Sequence, residues 1–247
     1  MTDDEGRPTP VELATKIVVE GNIVEQAAAQ PLPDAPQAVR PVSGGNMIRT
    51  TPFGRGTLGV NIDYRGAYQL LGNAHVLTQY DPGRIGAMIY NPPNMERENE
   101  LVPITWQQDV TYYPNPEQPD PVFNVMDVAT AVITPALGDP EIILIGVPGG
   151  VRAFDPATDA DISFVGAATG LHTFEVESFQ TRYRSIGFDS SGNTIYSWWE
   201  RGIRYKNPLG ELKKGDSGAA LVSGHDQYVI GLHRADSDGF GYGCPLM

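Results

Sequence analysis

The sequence has almost no cysteine. Cys244 stands alone among 247 residues, so no intramolecular disulfide can form and stability must come from packing. This argues against the disulfide-stapled secreted scaffolds. Basic residues are also few: 17 Lys and Arg against 30 Asp and Glu, a formal net charge of −13. Nucleic acid and anionic membranes reward basic patches, so neither is expected as a partner. No apolar run approaches the roughly 20 residues that span a bilayer. The opening MTDDEGRPTP lacks the basic start and apolar centre of a secretory leader. An intracellular, cytoplasmic protein is the expectation. No repeat of fixed period occurs.

Turn formers are plentiful instead, with 28 Gly and 21 Pro, which favours short strands over long helices. The main exception lies near the start. Thr9 and Glu12 form a capping-box pattern with Pro10 at the first helical position, predicting a helix over 9–19. The following AAQPLPDAPQAVRPV reads as an extended linker. Residues 1–50 are therefore expected to be an appendage: a regulatory or docking arm for a partner, or a structural cap. From residue 55 onward the pattern is strand after strand, beginning with RGTLGVNIDYRGAYQLL and ending with QYVIGLHRA. PNPEQPDP, residues 114–121, is a loop. No helical crossovers separate the strands, so antiparallel barrels or a sandwich are the natural packings.

One stretch asks for chemistry. In ELKKGDSGAALV, Gly215-Asp216-Ser217-Gly218 brackets a serine with turn formers. It is either a surface turn or a nucleophile beside backbone N–H donors. A serine hydroxyl needs a base, and the base needs an orienting group. Four histidines are available. His75 in LLGNAHVL follows an apolar strand and has small neighbours that leave room for an imidazole; the alternative is a satisfied interior histidine. His172 lies at a turn and reads as structural, and His225 as an exposed hairpin residue. His233 in VIGLHRAD ends a strand and either lines a cleft or is structural. Among the acids, Asp127 in MDVATAVI precedes the apolar run 128–133, where a buried carboxylate needs partners; the alternative is an ordinary strand-edge aspartate. Asp109 and Asp120 sit in more polar settings.

GNAHVL, MDVATAVI and GDSGAALV, in that order, resemble the trypsin-like (chymotrypsin-fold) serine peptidases. NAHV and VIGLHRA are similar to the disulfide-free bacterial Deg/HtrA-type branch. The set Gly56 to Gly59, Asn73 to Leu77, Ile85-Gly86, Thr169-Gly170 and Gly215 to Gly218 resembles bacterial peptidases related to the plant narrow-leaf protein. The likeness covers about residues 40–247. It departs from the pattern at Asn73-Ala74, where two asparagines are usual, and at Ala167-Ala168, where a basic residue is frequent.

The resemblance implies an all-β fold of two antiparallel six-stranded β-barrels, with the helical and linker extension ahead of them. Residues 51–137 would carry His75 and Asp127, and residues 138–247 would carry Ser217. The implied activity is endopeptidase hydrolysis of a protein or peptide substrate through an acyl-enzyme, with no metal and no cofactor. Ser217 would attack, His75 would move the proton, and Asp127 would orient the imidazole. The N–H groups of Gly215 and Ser217 would form the oxyanion hole. Asp216 would anchor the turn, and Lys213 and Lys214 would be solvated. Glu211, six residues before Ser217, would sit at the base of the primary pocket and favour basic side chains, unless Arg234 neutralises it. His233, Arg234 and Ala235 would form the pocket wall and pair with substrate backbone. The rival reading is a catalytically silent protein of the same fold that binds peptides or partners.

Overall fold

The computed structural model describes residues 40–50, 55–91, 96–189, 191–237 and 239–247, together with the backbone of Ile23–Glu25. The helix expected over 9–19 lies outside the described residues. Short strands dominate the first half. They are β1 (Ile23–Glu25), β2 (Val42–Gly44), β3 (Met47–Arg49), β4 (Arg55–Thr57), β5 (Val60–Tyr64) and β6 (Ala67–Gly72). A single helical turn, α1 (Ala74–Leu77), follows β6. Then come β7 (Met88–Tyr90), β8 (Glu100–Pro103), β9 (Trp106–Gln107), β10 (Phe123–Asn124), β11 (Ala129–Val132) and β12 (Gly138–Ile142). The second half is built from longer strands: β13 (Asp161–Gly166), β14 (Gly170–Phe188), β15 (Thr194–Lys206), β16 (Ala220–Ser223), β17 (Val229–Ser237) and β18 (Phe240–Pro245).

These strands form an 8-stranded sheet, two 4-stranded sheets and a 2-stranded sheet. The expected pair of six-stranded barrels is therefore corrected. A closed barrel needs one uninterrupted hydrogen-bond ladder. In the first half the ladder is split. β5-β6-β11-β9 form one sheet, β4-β3-β7-β8 another, and β2 pairs with β12 instead. Strands of two to six residues, separated by proline-containing loops, are too short to join these into one ladder. Residues 42–49, inside the 1–50 stretch expected to be an appendage, supply β2 and β3. The fold is all-β, and among the described residues no helix is long and apolar enough to cross a membrane.

The large sheet runs β1-β14-β13-β16-β17-β18-β15-β10, with further pairings of β1 to β17 and β14 to β15. Two apolar clusters knit the halves together. One packs Leu70, Leu77 and Ile89 with Tyr183, Trp199 and Tyr242. The other packs Val60, Leu71 and Val128 with Val165, Val222 and Leu232. Both draw on residues from each side of position 138, so the loops carrying the candidate site are fixed by shared packing.

Candidate active site

His75 and Asp127 are brought together by one strand pairing. β11 lies antiparallel to β6, with Ala129 opposite Gly72. The loop before β11 therefore lies beside α1, which starts directly after β6. Asn73 precedes α1 but makes no side-chain cap. Its Nδ2 donates to the Asp127 carbonyl instead, at 2.8 Å. The lone Cys244 sulfur lies 3.8 Å from the same carbonyl. Burial, then the charge of Asp127, push this thiol up to about 12, so it is an inert packing group.

The Asp127 carboxylate is fully buried. Oδ1 accepts from the His75 backbone N–H at 3.1 Å, and Oδ2 lies 2.6 Å from His75 Nδ1. Oδ2 also accepts from the Tyr80 hydroxyl at 3.1 Å and lies 3.1 Å from Arg234 Nε. Burial alone would push this acid up. The charge and hydrogen bond of His75, and then the charge of Arg234, outweigh it and hold the acid below the ordinary aspartate range. An ionised Asp127 at Nδ1 favours the tautomer that leaves Nε2 as the basic nitrogen. Nε2 is buried and has no hydrogen-bond partner among the described residues.

Arg234 is the surprise of the site. His233 pairs with Gly243 and Ala235 with Tyr242, so Arg234 is the extra residue of a β-bulge, a device that re-aims a side chain. Its guanidinium is fully buried. It stacks 3.8 Å over Trp199 and donates from Nη2 to Tyr80 Oη and Ser185 Oγ at 3.0 and 2.9 Å. Its carbonyl accepts from Ser217 Oγ at 2.9 Å. The bulge thus presents a cation to the aspartate and a carbonyl to the serine. The hydrogen bond between Ser217 Oγ and His75 Nε2 is absent from the structure.

The turn holding Ser217 is fixed on every side. Gly215 has φ 112° and Gly218 φ 99°. A Cβ on Gly218 would meet the Thr57 carbonyl at 2.2 Å, so the position admits glycine alone. Thr57 Oγ1 donates to the Gly215 carbonyl at 2.7 Å, and Thr57 N donates to the Ser217 carbonyl at 2.8 Å. Asp216 is buried and accepts from the N–H groups of Ala168, Thr169 and Lys213 and from Thr169 Oγ1. A Cβ on Gly166 would meet Asp216 Oδ1 at 2.1 Å. The neutral Ala167-Ala168-Thr169 turn therefore holds Asp216 with backbone and hydroxyl donors, and no cation is needed there.

The residues expected in the primary pocket are dispersed in their contacts. Glu211 is 43% exposed and lies 3.3 Å from His172 Nδ1; His172 Nε2 is in turn 2.8 Å from Thr169 Oγ1. Arg234 pairs with Asp127 rather than with Glu211. His233 is fully buried, stacked 5.2 Å from Phe164 and hydrogen-bonded through Nδ1 to the Tyr205 hydroxyl. Ala235 is buried in β17. His225 is exposed in a turn, and Asp109 and Asp120 are exposed. Sequence reasoning missed Tyr80, Asn73 and Thr57. Asn73 and Thr57 were at least visible inside the GNAHV motif and the Gly56 to Gly59 motif; Tyr80 carries no local signal.

His233 gives a pH test. Burial, then the charges of His75, His172 and Arg234, hold it down to about 3. It stays neutral in the fold while the unfolded chain takes up a proton near pH 6.5. Its contribution is fully present above pH 6.5 and is lost as pH falls toward 3. Asp236 acts oppositely. Burial, then Asp216, raise it to about 6, so its contribution is lost as pH rises from about 4 to about 6. The two offset each other between pH 4 and 6. His233→Gln should remove one of them. Urea unfolding of the wild type minus the variant should then change by about 1.4 kcal/mol per pH unit between about pH 3 and 6.5. A pH-independent difference would show that His233 titrates normally.

Solved structures of serine proteases are similar in fold to this chain. Thermobifida fusca Protease A aligns over 83% of this chain and 91% of its own, at 15% identity and TM-score 0.53. Cellulomonas bogoriensis chymotrypsin aligns over 83% and 91%, at 17% identity and TM-score 0.53. A glutamic-acid-specific serine protease, described as using a histidine triad in substrate binding, aligns over 83% and 94%, at 16% identity and TM-score 0.53. No protein-family profile matches the sequence, and no curated protein matches it. At these identities the likeness establishes the fold: the chain has the all-β architecture of the chymotrypsin-like serine proteases. No single branch is singled out, the Deg/HtrA and narrow-leaf branches included.

Proposed function

We propose that the protein is a serine endopeptidase that hydrolyses protein or peptide substrates through an acyl-enzyme on Ser217. The observation that carries this reading is the buried 2.6 Å contact of His75 Nδ1 with Asp127 Oδ2, set in a protease fold beside a serine on a glycine-flanked turn. Ser217 Oγ leaves the Arg234 carbonyl by a rotation about χ1, a change between staggered wells, and gives its proton to His75 Nε2. The oxygen attacks the scissile carbonyl. The N–H groups of Gly215 and Ser217 receive the developing oxyanion. His75 then protonates the leaving amine, and water repeats the cycle on the ester. Asp127 stabilises the imidazolium. Arg234 and Tyr80 hold Asp127 in place, so Arg234 acts through the aspartate. The chemistry needs only these side chains, and the cytoplasm is the proposed compartment.

One observation favours a second reading. Ser217 Oγ bonds to a carbonyl rather than to the base, as in a protein that keeps the fold to bind peptides without cutting them. A peptide-library digest separates the two. The enzyme cleaves and Ser217→Ala is inert; the binding module cleaves nothing.

The same digest tests specificity. His233, Arg234 and Ala235 are fully buried, so of the residues expected in the pocket Glu211 is the one proposed to meet the substrate, drawing a basic side chain. Glu211 is partly exposed and engaged by His172, and an exposed ion pair is worth at most about 1 kcal/mol. Glu211→Gln should therefore lower kcat/KM for Lys and Arg peptides by no more than about fivefold. A loss of about a hundredfold or more would mean that Glu211 is desolvated against the substrate.

A further inference from the structure

We propose that His172 sets the charge preference of the primary pocket: as an imidazolium it masks Glu211, and on losing its proton it releases Glu211 to a basic substrate side chain. This rests on the protease reading above and on Glu211 meeting the substrate. His172 lies near the start of β14, opposite Phe164 of β13. Its ring stacks on Phe174, with centroids 5.4 Å apart and planes 10° apart, and lies 5.8 Å from the Phe164 ring. Only 12% of the side chain is exposed, and Nδ1 is 3.3 Å from Glu211 Oε2.

The neighbours of the ring fix where its protons are. Asp216 accepts on both oxygens: Oδ1 from the N–H groups of Ala168 and Thr169, Oδ2 from the N–H of Lys213 and from Thr169 Oγ1 at 2.8 Å. A carboxylate so surrounded offers only lone pairs, so the single proton of the Thr169 hydroxyl is spent on it. His172 Nε2, 2.8 Å from Thr169 Oγ1, must therefore donate in that contact. A neutral imidazole with its proton on Nε2 turns a bare lone pair on Nδ1 toward the Glu211 carboxylate, acceptor against acceptor. Both contacts are favourable together only in the imidazolium, which carries a proton on each nitrogen. The charge of His172 thus sits between Glu211 and Asp216. Two further titratable groups flank the aromatic stack. His233 lies against Phe164 and is kept neutral by burial, then by the charges of His75, His172 and Arg234. Tyr205 lies against Phe174, and burial raises its hydroxyl well above the usual range. Neither competes for the proton.

Imidazole is the side chain that ordinarily changes charge between pH 5 and 8. Below the titration of His172, the imidazolium cancels Glu211, and a basic side chain gains little in the pocket. Above it, the Nδ1 lone pair repels the carboxylate, which is free to turn to an arriving Lys or Arg. Basic preference therefore rises with pH. The Lys and Arg side chains of a substrate do not titrate in this range. His75 acts on every peptide alike, so its own titration cancels in a ratio of two substrates.

The test is the ratio of kcat/KM for an Arg peptide to that for its Leu counterpart, read on the full chain between about pH 5 and 8. The wild-type ratio should rise with pH by about two- to fivefold, the ceiling set by an exposed ion pair. His172→Gln should hold the ratio flat, near the high-pH level of the wild type. Glu211→Gln should lose most of the high-pH preference. A second arm needs no turnover. Imidazole NMR is read on Ser217→Ala with and without Glu211→Gln, and losing Glu211 should lower the His172 midpoint by about 0.3 to 0.7 pH unit. An unmoved midpoint removes the pairing, whether or not His172→Gln folds. Cleavage with a wild-type ratio that does not rise, or with a rise that persists in His172→Gln, removes the specificity role and leaves the protease standing. No cleavage of any peptide removes the role and the protease reading together.

Discussion

Ser217→Ala should abolish turnover, with a loss on the order of 10⁶ in kcat, and His75→Ala should do the same. The double variant loses no more than either alone, because a nucleophile and its base act as one unit. Initial rates on a cleaved peptide, measured on protein shown to be folded, check this. Additive losses would mean that Ser217 and His75 do not share a proton. The structure makes the test sharp, because the hydroxyl rests on the Arg234 carbonyl rather than on the imidazole. If that contact is the resting rotamer of a working site, both residues are indispensable. If it is the only state the serine visits, neither substitution changes anything.

Asp127→Asn should have the second largest effect, roughly 10⁴ in kcat, because an amide at Nδ1 permits the wrong imidazole tautomer. Here it also destabilises. Asp127 and Arg234 are both fully buried, and breaking such a pair from one side costs about 3–5 kcal/mol. Arg234 then lies over Trp199 with a charge that its aspartate no longer balances. Adding Arg234→Met to Asp127→Asn should restore much of the stability and none of the activity. Urea unfolding and peptide hydrolysis read the two quantities separately. Equal recovery of both would assign Asp127 to packing rather than to the imidazole.

The three candidate residues could be singled out because each sits in a short motif with a local reason. Ser217 lies among glycines with positive φ, His75 follows a strand into small residues, and Asp127 precedes an apolar run. Their neighbours were not legible. The sequence reads Arg234 as pocket wall, since strand alternation cannot reveal the bulge that turns its guanidinium onto Asp127. Tyr80 reaches the same carboxylate through a backbone at φ 59°, a conformation that nothing in its surroundings announces. The expectation of six-stranded barrels failed for a related reason. Periodicity finds strands but not their partners, and β2 chose β12 over its sequence neighbours. Ile23–Glu25, inside the stretch expected to be an appendage, forms β1 against β14 and β17, a pairing between positions more than 150 residues apart.

The central claim is that Ser217 is an activated nucleophile. A fluorophosphonate probe tests it most directly, because it phosphonylates a serine only where a base takes the proton and donors hold the oxyanion. Mass mapping of the labelled full chain should find the adduct on Ser217 of native wild type. It should be absent from heat-unfolded protein, from Ser217→Ala and from His75→Ala. A native, folded protein whose Ser217 stays unlabelled, or whose label survives His75→Ala, would contradict the account.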